Sequence, residues 1–534
     1  MRRSIERFVT GAALSLLAAL PAVGQDSPLP ELFSDVIDVR VVNVEAVVTD
    51  RKGNRIRGLQ AGDFELLVDG VQAPIAYFTE IDEGIVQAAP GGGVEIAEAM
   101  PALNAGEPVG TNFLVFIDNF FSIRQHRDDV LRRLEGDLAQ LGPADRVAAV
   151  ASDGANVALL TGWTNSASEI REALRQAREL PALGLMRRVD QRAIAQSSNE
   201  QEVQQAKRYQ AEQVKRSALA AVATLRSFAG REGRKVMLVL AGGWGLPQPT
   251  LEDRQPTMLD INVDNVLGPL VDTANLVGYT LYPVDVPGFR AMSSNDASVG
   301  YSEESDADRG TPEGPGPGEE WLDHDSLRYL ADETGGLAMI NAQRKTALAQ
   351  AAADTRAYYW LGFEPPRNEN DEDHKVEVRV DGRPELRVRS RRSYLDMSRS
   401  TEVTMLVEGA LLFGGSPGAE LLAVRLGSPE RARSRKVLVP MEIAIPLDHV
   451  QLLPIAGRWT NELEFRVTVI DEDGDRSETP VEKILISGAS KPNPGDVFYY
   501  ETNLMLRRRE HRFVAAVYDP LTGAILSANG TVGP

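Results

Sequence analysis

The sequence contains no cysteine and only five histidines among its 534 residues, so several common site chemistries are absent from it. Without cysteine there is no thiolate nucleophile, no cysteine-ligated zinc and no residue to carry a lipoprotein anchor. The histidines are scattered and form no HExxH or other paired-ligand spacing: His126, His324, His374, His449 and His511. The sequence therefore offers no zinc site of a known spacing.

Basic residues are outnumbered by acidic ones, 57 against 77, which gives a net charge of -20 with no compact basic patch. Nucleic acid and anionic lipid would be repelled by such a chain, so neither is expected as a partner. Beyond the first 24 residues no apolar run reaches the roughly 18 residues that a membrane span needs. At about 100 to 200 residues a domain, the length predicts two to four globular domains.

The amino terminus has the pattern of a cleaved secretory signal, residues 1–24. A basic segment, MRRSIER, precedes the apolar FVTGAALSLLAALPAV, and the small residues Ala22 and Gly24 precede a cut before Gln25. The alternative is a retained membrane anchor, but no stop-transfer pattern follows. We therefore expect a secreted or periplasmic protein that has no membrane insertion after signal cleavage.

Alternating apolar and polar residues predict a small β domain that is discontinuous in sequence. Residues 36–80 contain the pattern with turns at Lys52-Gly53-Asn54 and Asp69-Gly70, and it returns in residues 356–396. Neither segment alone has enough strands for independent stability, while together they supply about six or seven. The sequence therefore predicts one β domain into which the intervening residues are inserted.

The intervening residues 111–353 alternate predicted strands and helices. FLVFID, DRVAAVAS, KVMLVLAGG and YTLYPVD are strand-like, and a segment without Gly or Pro, residues 199–229, predicts a long helix whose first half projects from the core. Such alternation is typical of a doubly wound parallel sheet. Residues 287–320 are acidic and rich in Gly and Pro, which favours a disordered surface loop.

The remaining residues, 400–534, are interpreted as strands throughout. Five segments separated by Gly, Pro and Asp turns carry the pattern: EVTMLVEGALLF, KVLVPMEIAIPL, ELEFRVTVI, RFVAAVYD and AILSANGTV. This spacing predicts a C-terminal β-sandwich domain.

Five blocks in order resemble the von Willebrand factor type A-related domain proteins of the acidobacterial family: TNFLVFIDNFFS, GRKVMLVLAGG, ANLVGYTLYPVDVPG, LRYLADETGGLAMIN and RAYYWLGFEPP. The resemblance covers roughly residues 36–396 and implies a secreted protein with a von Willebrand factor A-like α/β domain. It implies a function in adhesion or protein binding less firmly than it implies the fold.

The resemblance also implies a metal-ion-dependent adhesion site (MIDAS), which here is degenerate. Asp118 and Ser122 match the first and last positions of D-x-S-x-S, but Phe120 stands at the middle serine. The loop threonine and the aspartate after the fourth strand are also missing, from PALGLMRR and AGGWG. Asp285 ends another strand, about 10 Å away in the usual strand order. We therefore expect no firm metal ligand and no cofactor, with Mg²⁺ at Asp118 and Ser122 as the alternative.

Other motifs do not indicate catalysis. DEDGD, residues 471–475, begins like a calcium loop, but a solvated hairpin turn is the expected structure there, and GGWG lacks the GK[ST] of a phosphate loop. No G-x-S-x-G occurs, so no catalytic residue is predicted and the chain is expected not to be an enzyme. The favoured hypothesis is a protein-protein interaction or scaffold module whose partner is another protein or envelope component. A hydrolase of unrecognised type and a structural envelope component remain as alternatives.

Overall fold

The computed structural model describes residues 42–87, 105–154, 156–184, 200–229, 233–242, 244–246, 263–286, 317–341, 346–365, 370–413, 418–419, 421–432, 436–455, 457–472, 477 and 479–533. The signal-like segment 1–24 lies outside them, as does the acidic segment 287–320 up to residue 316. The chain divides into two compact units, Ile37–Met397 and a second that contains Ser398–Pro534. We call these the first and second units.

The first unit contains fourteen described strands and six described α-helices. The strands are β1 Val42–Thr49, β2 Phe64–Val68, β3 Val71–Gln72, β4 Tyr77–Asp82, β5 Ile85–Val86, β6 Thr111–Asp118, β7 Arg146–Ser152, β8 Val157–Thr164, β9 Arg234–Ala241, β10 Tyr279–Asp285, β11 Tyr358–Phe363, β12 Glu372–Val380, β13 Arg387–Arg389 and β14 Ser393–Asp396. The helices are α1 Arg124–Asp137, α2 Ala167–Glu179, α3 Glu200–Ser227, α4 Val263–Leu276, α5 Pro317–Thr334 and α6 Ala347–Asp354.

Two antiparallel sheets bring together strands from both ends of the first unit. Their orders are β13-β1-β11-β4-β5 and β14-β12-β2-β3. Val44 lies opposite Leu361 in one, and Leu66 lies opposite Val378 in the other. The inward residues of both sheets share one apolar cluster, so the segments before and after the α/β residues pack as one β layer pair.

A five-stranded sheet of order β10-β9-β6-β7-β8 forms the rest of the first unit. All neighbours are parallel except β8, which is antiparallel at one edge. Phe113 to Ile117 are apolar and fully buried, as expected for a central strand covered on both faces. Helices α1, α2 and α6 share a cluster with one face of the sheet. Helix α3 contacts α4 and strand β6, while α4 and α5 contact each other and strand β10.

Helix α5 begins inside the segment that was predicted to be a disordered acidic loop. It begins at Pro317, so residues 317–320 are helical although the composition of 287–320 favours disorder. Proline is well tolerated in the first turn of a helix, where its missing N–H has no intrahelical partner. The boundary prediction was therefore wrong by four residues.

The second unit contains nine strands and one α-helix among its described residues. The helix is α7 Arg399–Phe413, and the strands are β15 Ala423–Leu426, β16 Glu430–Arg431, β17 Lys436–Pro446, β18 Leu453–Ile455, β19 Arg458–Asp471, β20 Val481–Gly488, β21 Val497–Arg507, β22 His511–Tyr518 and β23 Ile525–Val532. Strand β17 pairs with β15, β16 and β21, and β19 pairs with β18, β20 and β22, which pairs with β23. The two antiparallel sheets share one hydrophobic core.

The strand predicted for EVTMLVEGALLF is wrong, because these residues belong to α7. Val403, Val407, Ala410 and Leu411 are buried and recur at helical spacing, and the helix contacts β19 and β22. The apolar run also fits a strand when it is read alone. Burial against the sheet selects the helix.

Candidate functional site

The site predicted from Asp118 and Ser122 lies at the carboxyl edge of the parallel sheet, where the chain leaves β6. Asp118 is the last residue of this central strand, and a buried turn of residues 119–122 follows it. The turn is held on both sides: Asn119 N–H donates to Ser152 O at 2.7 Å, and Gly184 N–H donates to Ser122 O at 3.0 Å. Its conformation is therefore fixed by the end of β7 and by the segment after α2.

The carboxylate of Asp118 is fully buried and accepts three hydrogen bonds. Its Oδ1 accepts from Phe120 N at 2.9 Å and from Phe121 N at 3.4 Å, and its Oδ2 accepts from Trp244 Nε1 at 2.6 Å. Burial raises the pKa of Asp118 to about 6, although all three donors act in the opposite direction. Both oxygens are engaged by N–H groups of the protein itself.

Phe120, which stands at the middle serine position of the motif, is a packing residue. Its side chain is buried and meets Phe121 edge to face at 4.9 Å between ring centroids. A Cβ on Gly154 would lie 2.6 Å from the Phe120 ring, so the glycine makes room for the aromatic side chain. The aromatic ring here fills space in the turn and offers no oxygen to an ion.

Ser122 is buried, and its hydroxyl oxygen has no hydrogen-bond partner among the residues that the structure describes. The chain after β9 crosses it closely: a Cβ on Gly242 would lie 2.7 Å from Ser122 Cα. Gly184 approaches from the other side, where a Cβ would lie 2.1 Å from Phe121 O. Two glycines therefore permit the backbone contacts that enclose Asp118 and Ser122.

Trp244 is the site residue that the sequence did not reveal. It stands in AGGWG, the segment in which the resemblance placed a missing aspartate, and its side chain is fully buried. The neighbouring Gly245 O accepts a hydrogen bond from Gln210 Nε2 of α3 at 3.0 Å. The glycines around Trp244 were the available signal, because they suggest a close approach of backbone to another segment. Gly243 lies outside the described residues.

Arg127 is a second residue that sequence reasoning missed. Its guanidinium is fully buried, and Nη1 donates to Asn119 Oδ1 at 2.7 Å and to Leu180 O at 3.0 Å. The same group donates from Nη2 to Arg178 O at 3.1 Å. One side chain of α1 thus ties the turn after β6 to the end of α2.

Asp285 ends β10, and β9 separates that strand from β6. Its Oδ2 lies 3.3 Å from His324 Nε2 and 3.5 Å from Asn341 N. The structure therefore gives Asp285 its own partners on α5 and the following loop. Within the described ranges, no group of three or more Asp, Glu, His or Cys side chains is placed to hold a metal ion.

The other predicted segments are described in part. Asp471 of DEDGD is buried and pairs with Arg507 Nη1 at 3.4 Å and Arg509 Nη1 at 3.8 Å, while residues 473–476 lie outside the described residues. Of PALGLMRR, only residues 181–184 are described. Every helix that the structure describes is too short or too polar to cross a lipid bilayer.

No protein-family model matches the chain, and no curated protein matches it either. Among solved structures, a β-glucuronidase of Bacteroides uniformis is 12% identical over 21% of this chain and 13% of its own, with a TM-score of 0.15. The structural-genomics target SoR45 is 13% identical over 22% of this chain and 88% of its own, with a TM-score of 0.13. Similarities this small identify neither a fold nor a function for this protein.

Proposed function

We propose that the protein is a secreted, non-catalytic von Willebrand factor A-related protein whose α/β domain binds another protein or an envelope component without a metal ion. The five sequence blocks support the family, and a parallel sheet with Asp118 at the carboxyl edge of its central strand supports the placement of the site. Such an edge is where α/β sheets present ligand-binding groups. The family and the partner class both remain proposals.

The metal-free part of the proposal rests on the three hydrogen bonds that the Asp118 carboxylate already accepts. A hard cation such as Mg²⁺ needs several oxygen ligands with free lone pairs directed at it. Here the Asp118 oxygens accept from Phe120 N, Phe121 N and Trp244 Nε1, and the carboxylate is shielded from solvent. An ion that bound Asp118 would have to replace the hydrogen bond from Trp244 Nε1. The Trp244 indole would then lose its buried position against the carboxylate.

Titration calorimetry with Mg²⁺ and Mn²⁺ on the full chain tests this directly. We expect no stoichiometric heat at micromolar concentrations, and the Asp118→Ala variant should behave identically. A one-to-one heat that disappears in Asp118→Ala would overturn the metal-free proposal and establish the residual Mg²⁺ site instead.

Partner binding is tested by affinity capture from the native envelope fraction on immobilised protein. Retention of a partner should be the same in Mg²⁺ and in EDTA, because no ion completes the interface. Loss of the same partner on chelation would contradict the metal-free mechanism. Turnover of generic ester, peptide or glycoside substrates by purified protein would contradict the non-catalytic assignment.

A further inference from the structure

Two cationic side chains converge at the opposite edge of the same sheet, where β9 and β10 begin. Lys235 is the second residue of β9, and Arg391 lies between β13 and β14. A Cβ built on Gly278, just before β10, would lie 3.6 Å from Arg391 Nη2 and 3.8 Å from Lys235 Nζ. Both cationic groups therefore border the same glycine, which places no side chain of its own against them.

Neither cation has a carboxylate partner within ion-pair distance in the part of the chain that the structure describes. Lys235 Nζ donates to Ala229 O at 3.0 Å, just after α3, and Arg391 Nη1 donates to Asn275 O at 2.5 Å, near the end of α4. Each therefore has one carbonyl acceptor at a helix carboxyl terminus. Glu45, whose charge acts on both, forms its own ion pair with Arg234 at 3.0 Å.

The lowered pKa values of Lys235 and Arg391 indicate that a nearby negative charge would stabilise their charged forms. Burial, with a further contribution from Arg391, lowers the pKa of Lys235 to about 8, and burial lowers the pKa of Arg391 to about 10. Glu45 opposes both shifts, and the Tyr279 ring faces Lys235 Nζ at 5.6 Å from its centroid. Like charges held together in a partly buried site are stabilised when an anion enters.

We propose that Lys235, Arg391 and Gly278 form a binding site for a small oxyanion of the sulfate or phosphate class. Arginine presents donors in a fork that matches such oxygens, and the lysine adds a second positive charge beside the same glycine. This site is independent of the proposed binding edge, which lies at the carboxyl ends of the same strands. A structural role alone, in which both cations only cap helix termini, is the competing explanation.

Sulfate calorimetry on the full chain at constant ionic strength separates the two explanations, because the charge of sulfate does not change between pH 7 and 10. One sulfate per chain should bind at pH 7. Its affinity should fall close to tenfold for each pH unit above about 8, where Lys235 loses its proton. Absence of a one-to-one heat, or an affinity independent of pH, would overturn the proposal.

Substitutions test whether the heat of sulfate binding arises at Lys235 and Arg391. Lys235→Met and Arg391→Met should each weaken sulfate binding at least tenfold, Arg391→Lys should retain part of it, and Lys436→Met, at an exposed lysine of the second unit, should not change it. Thermal unfolding gives a second readout: sulfate should raise the Tm of the wild-type chain more than chloride does, and this difference should vanish in Lys235→Met. Equal sulfate binding in both Met variants and the wild type would refute the site.

Discussion

At the residue scale, the turn after β6 is governed by how one buried carboxylate is satisfied. An unpaired carboxylate in a closed apolar site would be costly, whereas Asp118 accepts three N–H donors, two from the turn itself and one from Trp244. Arg127 is a buried donor in the same region, and its guanidinium donates hydrogen bonds to carbonyl groups at the end of α2. Each of these side chains links segments that are distant in sequence, so single substitutions should affect the whole edge.

Removing the Trp244 donor should destabilise the first unit. Trp244→Phe keeps most of the buried ring but leaves Asp118 Oδ2 without a partner, which should cost about 1 to 3 kcal/mol. Trp360→Phe is the matched control, since the buried indole nitrogen of Trp360 has no hydrogen-bond partner in the described part of the chain. Urea unfolding of both variants measures the difference, and equal losses would show that the hydrogen bond to Asp118 contributes nothing.

Asp272 provides a prediction about pH. Burial, reinforced by Asp373 and Asp264, raises its pKa to about 6. The folded chain therefore binds this proton more tightly than the unfolded chain, so the stability contributed by Asp272 is present at low pH and is lost as pH rises from about 4 through 6. With allowance for solvent screening, Asp272→Asn should stabilise the protein by about 1 kcal/mol at pH 7 and by almost nothing at pH 4.

The denaturant midpoint at the two pH values checks the Asp272 prediction. Asp325→Asn serves as the control, because Asp325 lies on the exposed side of α5 and its side chain is 59% exposed. A variant of Asp272 that gained the same stability at both pH values would show that its charge is not responsible.

At the element scale, local pattern predicts strands and helices well where burial is complete on both faces. The run Phe113 to Ile117 admits one interpretation, since a continuous apolar stretch that ends on an acid fits a central parallel strand. The run Val403 to Leu411 fits either a strand or a helix when it is read alone. Only its packing against β19 and β22 decides between the two. The contact of Trp244 with Asp118 could not be predicted at all, because it joins residues 126 positions apart.

A buried arginine of the sheet, Arg466, contacts helix α7, and this contact can be tested. Arg466 is fully buried on β19, donates to Thr404 Oγ1 and Ser400 O of the helix at 2.8 Å each, and pairs with Glu464 at 2.5 Å. Arg466→Met should cost about 3 kcal/mol, because the buried partners lose their donor. Arg425→Met removes an exposed pair with Glu442 and should change stability by less than about 0.5 kcal/mol.

Circular dichroism during urea unfolding measures both arginine variants. If Arg466→Met and Arg425→Met have the same midpoint, the helix is held by its apolar face alone. A loss confined to Arg466→Met assigns the contact between α7 and β19 to the buried guanidinium.

At the scale of the whole molecule, the chain combines an α/β sheet, a β layer pair assembled from two distant segments, and a second unit of two antiparallel sheets. The segment pairing explains why the first unit needs residues from 42 to 396: β1 depends on β11, and β2 depends on β12. The predicted export signal, residues 1–24, is also tested on the whole protein. Amino-terminal sequencing of material recovered outside the cytoplasm should begin near Gln25, whereas an intact Met1 would exclude cleavage.

The last prediction concerns independence of the two units. Each has its own hydrophobic core, and the division falls between Met397 and Ser398. Residues 37–397 and 398–534, expressed separately, should therefore each unfold cooperatively, with midpoints close to the transitions seen in the full chain. A further truncation, residues 37–355, removes β11 to β14. Strand β1 then loses both of its partners, while β2 and β4 keep only the two-residue strands β3 and β5, so this fragment should not fold. Calorimetry distinguishes the outcomes: a cooperative peak for 37–355 would show that the β layer pair is dispensable, and no peak for 398–534 would show that the second unit requires the first.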